Sequence, residues 1–165
     1  MDSIRIFGYK SFKKLSVQLH PINILIGANG AGKSNFLSLF EMLGNIYEKR
    51  LGAYVAQVGG VDKFLYQGRK VTDRIAVNLL IAKSEYDLAL LESDGKLIVE
   101  REVVGCYDDV CPLDLVRKNV ITEFQSESSL KDHKEEDLSN YISQIRKFHF
   151  HDTGRRSPFT ADSHI

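Results

Sequence analysis

The 165-residue sequence predicts an α/β fold in which one strand–loop–helix unit stands beside an antiparallel β meander. Three observations predict it. INILIGANGAGKSNFLSLFEML, Ile22 to Leu43, reads as an apolar strand, a glycine-rich loop and an amphipathic helix. Two short runs before it alternate apolar and polar residues. Three longer β-like runs follow between Arg74 and Val104.

Taken in order, Ser3 to Tyr9 (SIRIFGY) and Leu15 to His20 (LSVQLH) have the period of half-buried strands, and the polar KSFKK between them closes an antiparallel pair. Pro21 restarts the chain, and INILIG is apolar enough for a buried central strand. A helix is predicted from Lys33 onward, because Phe36, Leu37, Leu39, Phe40 and Leu43 recur at three- and four-residue intervals on one face. Glu48 to Gly68 is expected to be a loop with a short helix around Val61 to Tyr66. RIAVNLLIA (Arg74 to Ala82), YDLALLE (Tyr86 to Glu92) and KLIVEREVV (Lys96 to Val104) then predict a small antiparallel sheet. Gly105 to Ser129 carries only a weak pattern. HKEEDLSNYISQIRKF, His133 to Phe148, reads as a helix with Leu138, Tyr141, Ile142 and Ile145 on one side. The remainder is strand-like to His151 and turn-rich beyond. These parts form one domain: 1–50 with the strand pair, glycine loop and helix, 51–110 with the loop and β subdomain, and 111–165 with a helix, a strand and the end.

Composition narrows the class. Hydrophobic content of 43% with 27% charged residues is that of a globular chain long enough to bury a core. The net charge is zero, so no overall field draws the protein to nucleic acid or membrane, although a local basic patch stays open. No apolar run approaches a membrane span and the N-terminus lacks a signal segment, so a cytoplasmic location is expected. Cys106 and Cys111 would be reduced thiols there; their C-x4-C spacing has no second pair to complete a zinc site.

Gly27-x4-Gly32-Lys33-Ser34 matches the phosphate-loop pattern, Walker A. The glycines Gly27, Gly30 and Gly32, with Ala28, Asn29 and Ala31 between them, let backbone N–H groups point at phosphate oxygens. The helix beginning at Lys33 adds its positive end. Lys33 supplies a cation for the β and γ phosphates, and the Ser34 hydroxyl is a ligand for Mg²⁺. A dinucleotide fingerprint fails because Asn35 stands where its third glycine belongs. The expected ligand is a nucleoside triphosphate.

IRIFGYKSF, LSVQLHPINILIGANGAGKSNFL and GGVDKFLYQG together resemble the N-terminal half of RecF/SMC-like ABC-type ATPases, in particular the bacterial AAA family ATPases related to RecF and to OLD-type nucleases. That group has a Walker A of the form G-x-N-G-x-G-K-[ST]-N, matched by Gly27, Asn29, Gly30, Gly32, Lys33, Ser34 and Asn35. A Gly-Gly loop, an antiparallel meander and a segment like Phe148 to Thr153 follow in both. The resemblance implies a P-loop NTPase of the ABC-type N-lobe, binding ATP and Mg²⁺ in a site shared by two protomers. It implies a partner carrying Walker B and the signature motif, either a C-terminal half or a second subunit. ATP-dependent homodimerisation and a DNA or nuclease partner belong to the same picture. Lys10 and Ser11 stand where the strand pair of that family approaches the nucleotide, and KSFKK is equally an adequate polar turn. Gln57, His151 and Asp152 are candidate equivalents of the glutamine-loop region.

The other walls of such a site are missing. Walker B is an apolar run ending in Asp-Glu, and LALLESD offers one Glu without the adjacent pair. ESDGK, Glu92 to Lys96, imitates a signature motif, but Asp94-Gly95 followed by the alternating KLIVEREVV predicts a hairpin turn. The chain thus reads as an incomplete nucleotide-binding domain with no catalytic carboxylate of its own. His149 and His151 share a strand face without a third metal ligand. Arg69-Lys70 and Arg155-Arg156 are candidate phosphate contacts or plain solvent-facing cations. Two functions compete: the ATP-binding part of an ATPase acting in DNA maintenance or anti-phage defence, and a non-catalytic interaction module gated by nucleotide. GTPase elements (Asp-x-x-Gly, Asn/Thr-Lys-x-Asp) and a kinase lid are not present in the sequence.

Overall fold

The computed structural model describes residues 2–107, 115–133 and 136–145. Its frame is a six-stranded sheet: β1 (Asp2–Tyr9), β2 (Phe12–Leu19), β3 (Arg74–Ile81), β4 (Ser84–Ser93), β5 (Lys96–Tyr107) and β6 (Leu115–Gln125). The strand order is β2-β1-β3-β4-β5-β6, and every neighbouring pair is antiparallel. The predicted strand pair and the predicted meander are therefore one sheet, joined where β1 pairs with β3 from Ser3↔Leu80 to Phe7↔Ala76.

Strict alternation decides which face is covered. β3 has every second residue buried, and so has most of β4, which places Ile75, Val77, Leu79, Tyr86, Leu88 and Leu90 against the helices. Helix α1 (Lys33–Tyr47) lies on this face through Phe36, Leu39, Met42, Leu43 and Ile46. The predicted stripe is right except at Leu37, which is 49% exposed because it lies just outside the buried arc. Helix α3 (Glu136–Ser143) adds buried Leu138 and Ile142, while Tyr141 is exposed.

The hairpin between β4 and β5 forms as expected. Asp94 and Gly95 both have positive φ (50° and 77°), as a type I′ turn requires, and the ladder closes at Ser93↔Lys96. The Glu92 carboxylate accepts the Gly95 N–H at 2.8 Å. ESDGK is a turn.

Three expectations are corrected. INILIG is not a buried strand: Ile22, Ile24 and Ile26 are 82%, 78% and 90% exposed, and the segment pairs with no described strand. A largely apolar segment becomes a buried strand only between neighbours, and among the described residues none lies beside it. Second, the region 48–68 is more than a loop, since α2 (Leu51–Val58) precedes a single 3₁₀ turn at Val61–Lys63. A remote side chain builds α2: the Glu127 carboxylate accepts the N–H of Leu51 (2.9 Å) and of Gly52 (3.2 Å), a cap no local pattern announces. Third, the weak stretch 105–129 contains β6, whose register against β5 slips twice. Those irregularities erase the period of two. The predicted strand ending at His151 lies outside the described residues. Among the described residues no helix is long and apolar enough to cross a membrane.

Candidate phosphate-binding site

Gly32 opens α1 in a left-handed conformation (φ 93°), and a Cβ there would stand 3.1 Å from both Phe12 Cε1 and Ser11 Oγ. Only glycine meets both conditions. The helix then starts bare. No side chain caps it, no acidic residue occupies its first turn, and the first helical bond home is Phe36 N–H to Gly32 O at 2.9 Å. The preceding N–H groups and the positive end of the dipole are left for an anion.

Lys33 folds back over its own loop, its Nζ donating to the carbonyls of Gly27 (2.6 Å) and Ala28 (2.8 Å). The ammonium is thereby held at the loop, tied to two weak acceptors that a phosphate oxygen outcompetes. Ser34 is exposed, and its hydroxyl makes no hydrogen bond among the described residues. A single free hydroxyl beside a bare helix start suits Mg²⁺, which takes few protein ligands and fills its octahedron from phosphates and water.

The turn between β1 and β2 packs on this helix start. Asn35 Nδ2 donates to Ser11 Oγ at 3.0 Å. Lys10, in a left-handed conformation (φ 47°), donates from Nζ to Ser38 Oγ at 2.8 Å and from its backbone to Phe64 O at 2.7 Å. Ser38 donates in turn to Asn35 O (2.8 Å), so the Tyr9 hydroxyl at 2.9 Å is the donor to Ser38. Burial raises the Tyr9 pKa well above the usual phenol range, which keeps that proton in place. The Lys10 ammonium also lies 5.4 Å from the Tyr9 ring centre and 5.5 Å from that of Phe64.

Lys10 and Ser11 are thus brought to the loop helix. Gln57 is not: it is exposed on α2 and lines none of the cavities beside the loop. Gln67, at φ 57°, helps line a cavity of about 500 Å³ with Lys10, Asn35, Asp62 and Gly68. Its Gln-Gly pair was a visible turn signal. Ser38 had a signal too, as a hydroxyl on an otherwise apolar helix face. On the other flank a groove of about 280 Å³ runs between Phe12, Leu15, Val17, Ile24, Ile26 and Lys33. Arg69 is engaged with Asp62 through its backbone N–H (2.9 Å) and Nε (3.4 Å). His149, His151, Asp152, Arg155, Arg156 and Cys111 lie outside the described residues; Cys106 is a free, half-buried thiol.

A family model for the AAA ATPase domain matches residues 1–151. The chain belongs to the AAA ATPase domain family. No curated protein and no solved structure gives a significant match. For this AAA ATPase domain, membership assigns ATP binding, and the glycine loop at the head of α1 is the feature with the chemistry for it.

Proposed function

We propose that this AAA ATPase domain is the ATP-binding part of a RecF/SMC-like, ABC-type ATPase that works in DNA maintenance or anti-phage defence. The observation that carries the reading is the uncapped start of α1, with Lys33 Nζ folded onto the carbonyls of Gly27 and Ala28. In this reading the backbone from Gly27 to Gly32 cradles the phosphates, Lys33 neutralises the β and γ groups, and Asn35 steadies the loop through Ser11. Mg²⁺, held by Ser34, would offset the charge of the triphosphate. Lys10 and Gln67 stand close enough to α1 to report occupancy to the segment from Gly59 to Gly68.

The proposed partner supplies Walker B, the signature helix and a strand. Ile22, Ile24 and Ile26 support this: an apolar segment with bare backbone, leading directly into the phosphate loop, is half of a strand pairing. The partner is a C-terminal half or a second subunit, and ATP would bring two copies together. The alternative reading, a nucleotide-gated interaction module without hydrolysis, draws on the chain of contacts from Asn35 through Ser38 to Lys10 and Phe64.

Calorimetric titration with ATP and Mg²⁺, with phosphate release followed on the same sample, tests the reading. Binding without turnover is expected, and Lys33→Ala weakens binding by roughly ten- to a hundredfold through one lost charged contact. Full turnover by the chain alone would contradict the shared site. An affinity indifferent to Lys33→Ala would contradict the phosphate loop.

A further inference from the structure

The face of the sheet turned away from the helices carries a feature that ATP binding does not use. Phe7 points to solvent on β1 and is 46% exposed. Register places Lys14 directly opposite it on β2 and Ala76 opposite it on β3, with Ala89 the next across. Directly paired side chains lie roughly 5 Å apart, so one flank of the ring meets an ammonium and the other only methyl groups. Arg5, two residues back on β1, shares that face about 7 Å away. Beside Phe7 opens a cavity of about 500 Å³, lined by Gly8, Lys13, Tyr66, Gln67, Val71, Thr72 and Asp73. Lys70 stands exposed on the same turn as Val71.

Arg5, Lys13, Lys14 and Lys70 make no ion pair with a described residue. Asp73 is the acid at the cavity. Glu85 and Asp87 lie two strands beyond β1, where Asn78 Nδ2 donates to both, at 2.8 Å and 2.6 Å. In a chain of zero net charge the β1–β2 edge is therefore a local cationic strip with one open aromatic ring at its centre.

We propose that this strip binds single-stranded nucleic acid, with a base stacked on Phe7 and the flanking phosphates on Arg5, Lys14, Lys13 and Lys70. The combination fits that ligand better than a duplex: a half-exposed ring between Lys14 and Ala76 takes an unstacked base, whereas a duplex keeps its bases to itself. The cations are spread along the strip rather than gathered, which follows a backbone. The phosphate loop is not needed for this site, so it stands or falls apart from the nucleotide reading.

Fluorescence anisotropy with a labelled thymidine 20-mer tests it, set against a duplex of equal length and phosphatidylserine vesicles. The 20-mer is expected to bind more tightly than the duplex, with affinity falling steeply as salt rises. Phe7→Ala weakens binding about tenfold, the loss of one stacked base. Lys14→Glu weakens it further and flattens the salt dependence by about one unit of slope. Lys33→Ala leaves it unchanged. Lys14 is exposed, so Lys14→Glu keeps the wild-type melting temperature; Phe7 is half covered, so Phe7→Ala lowers it by a few degrees and binding is compared well below both transitions. No binding of the 20-mer, affinity unaffected by Phe7→Ala, or equal binding to duplex or vesicles would each overturn the proposal.

Discussion

The meander β3–β5 and the segment from Ile22 to Ile26 are similarly apolar, and the fold treats them in opposite ways. Ile75, Leu79, Leu88, Leu90 and Val99 are at most 2% exposed, whereas Ile22, Ile24 and Ile26 are at least 78% exposed. The meander carries its neighbours with it, since two tight turns return the chain beside itself and each strand completes the one before. The segment before the phosphate loop has no such turn, and among the described residues no strand pairs with it. Hydrophobicity sets how much burial is worth; connectivity sets whether it happens.

The sharpest way to break this comparison is to truncate an apolar side chain in each region. Leu90→Ala is expected to cost about 3 kcal/mol in urea unfolding, from lost burial and the cavity left behind. Ile26→Ala is expected to change stability by less than about 0.5 kcal/mol, because a side chain already in water loses nothing. A large loss at Ile26 would mean that the segment is covered in solution.

A slightly smaller effect tests the polar part of the core. Glu102 is fully buried and accepts from Tyr86 OH (2.5 Å), Ser128 Oγ (2.6 Å) and Ser129 N (3.0 Å). Glu102→Ala leaves the Tyr86 and Ser128 hydroxyls without this acceptor and the Ser129 N–H with Thr122 Oγ1 alone (3.2 Å), and is expected to cost about 2–3 kcal/mol by thermal or urea melting. Pairing it with Tyr86→Phe is expected to cost less than the two single changes added together, since one of the orphaned donors goes with it. Strict additivity would mean the two groups do not interact.

Glu127→Ala removes only the remote cap on α2. A loss of about 1 kcal/mol is expected, with faster amide hydrogen exchange at Leu51 and Gly52 and no change in the meander. Uniform exchange across the sheet would refute a local role.

The gentlest probe is alkaline pH. Burial raises the pKa values of Tyr9 and Tyr86 and pushes Tyr54 up to about 12, from an ordinary value of 10.0. Between the unfolded and folded values the native state holds more protons than the unfolded one, so stability falls as pH rises. The melting temperature should not respond to these tyrosines below about pH 9 and should drop above about pH 10. Tyr86→Phe should blunt the drop. An unchanged alkaline slope in that variant would show that Tyr86 does not titrate with unfolding.

Much of the fold was legible because it is locally encoded. Alternation located β1 to β5 to within a few residues, and Asp94-Gly95 named its own turn. What escaped was held by distant partners: α2 by Glu127, β6 by an irregular ladder against β5. The candidate site divides the same way. Gly27 to Asn35 could be read directly because a phosphate cradle is built from consecutive residues. Lys10 and Ser11 needed the fold to reach Ser38 and Asn35, and no short-range pattern says that Gln67 rather than Gln57 shares a cavity with Lys10 and Asn35.

By itself the sequence determined the glycine loop, the helix it opens and the alternating strands, since each depends on contacts within a few residues. Tertiary structure alone decided that strand pair and meander form one sheet, that Phe7 and Lys14 share its open face, and that Ile22, Ile24 and Ile26 meet no strand among the described residues. Those outcomes depend on which distant segments meet, and the free energy of a pairing exists only once both partners are in place.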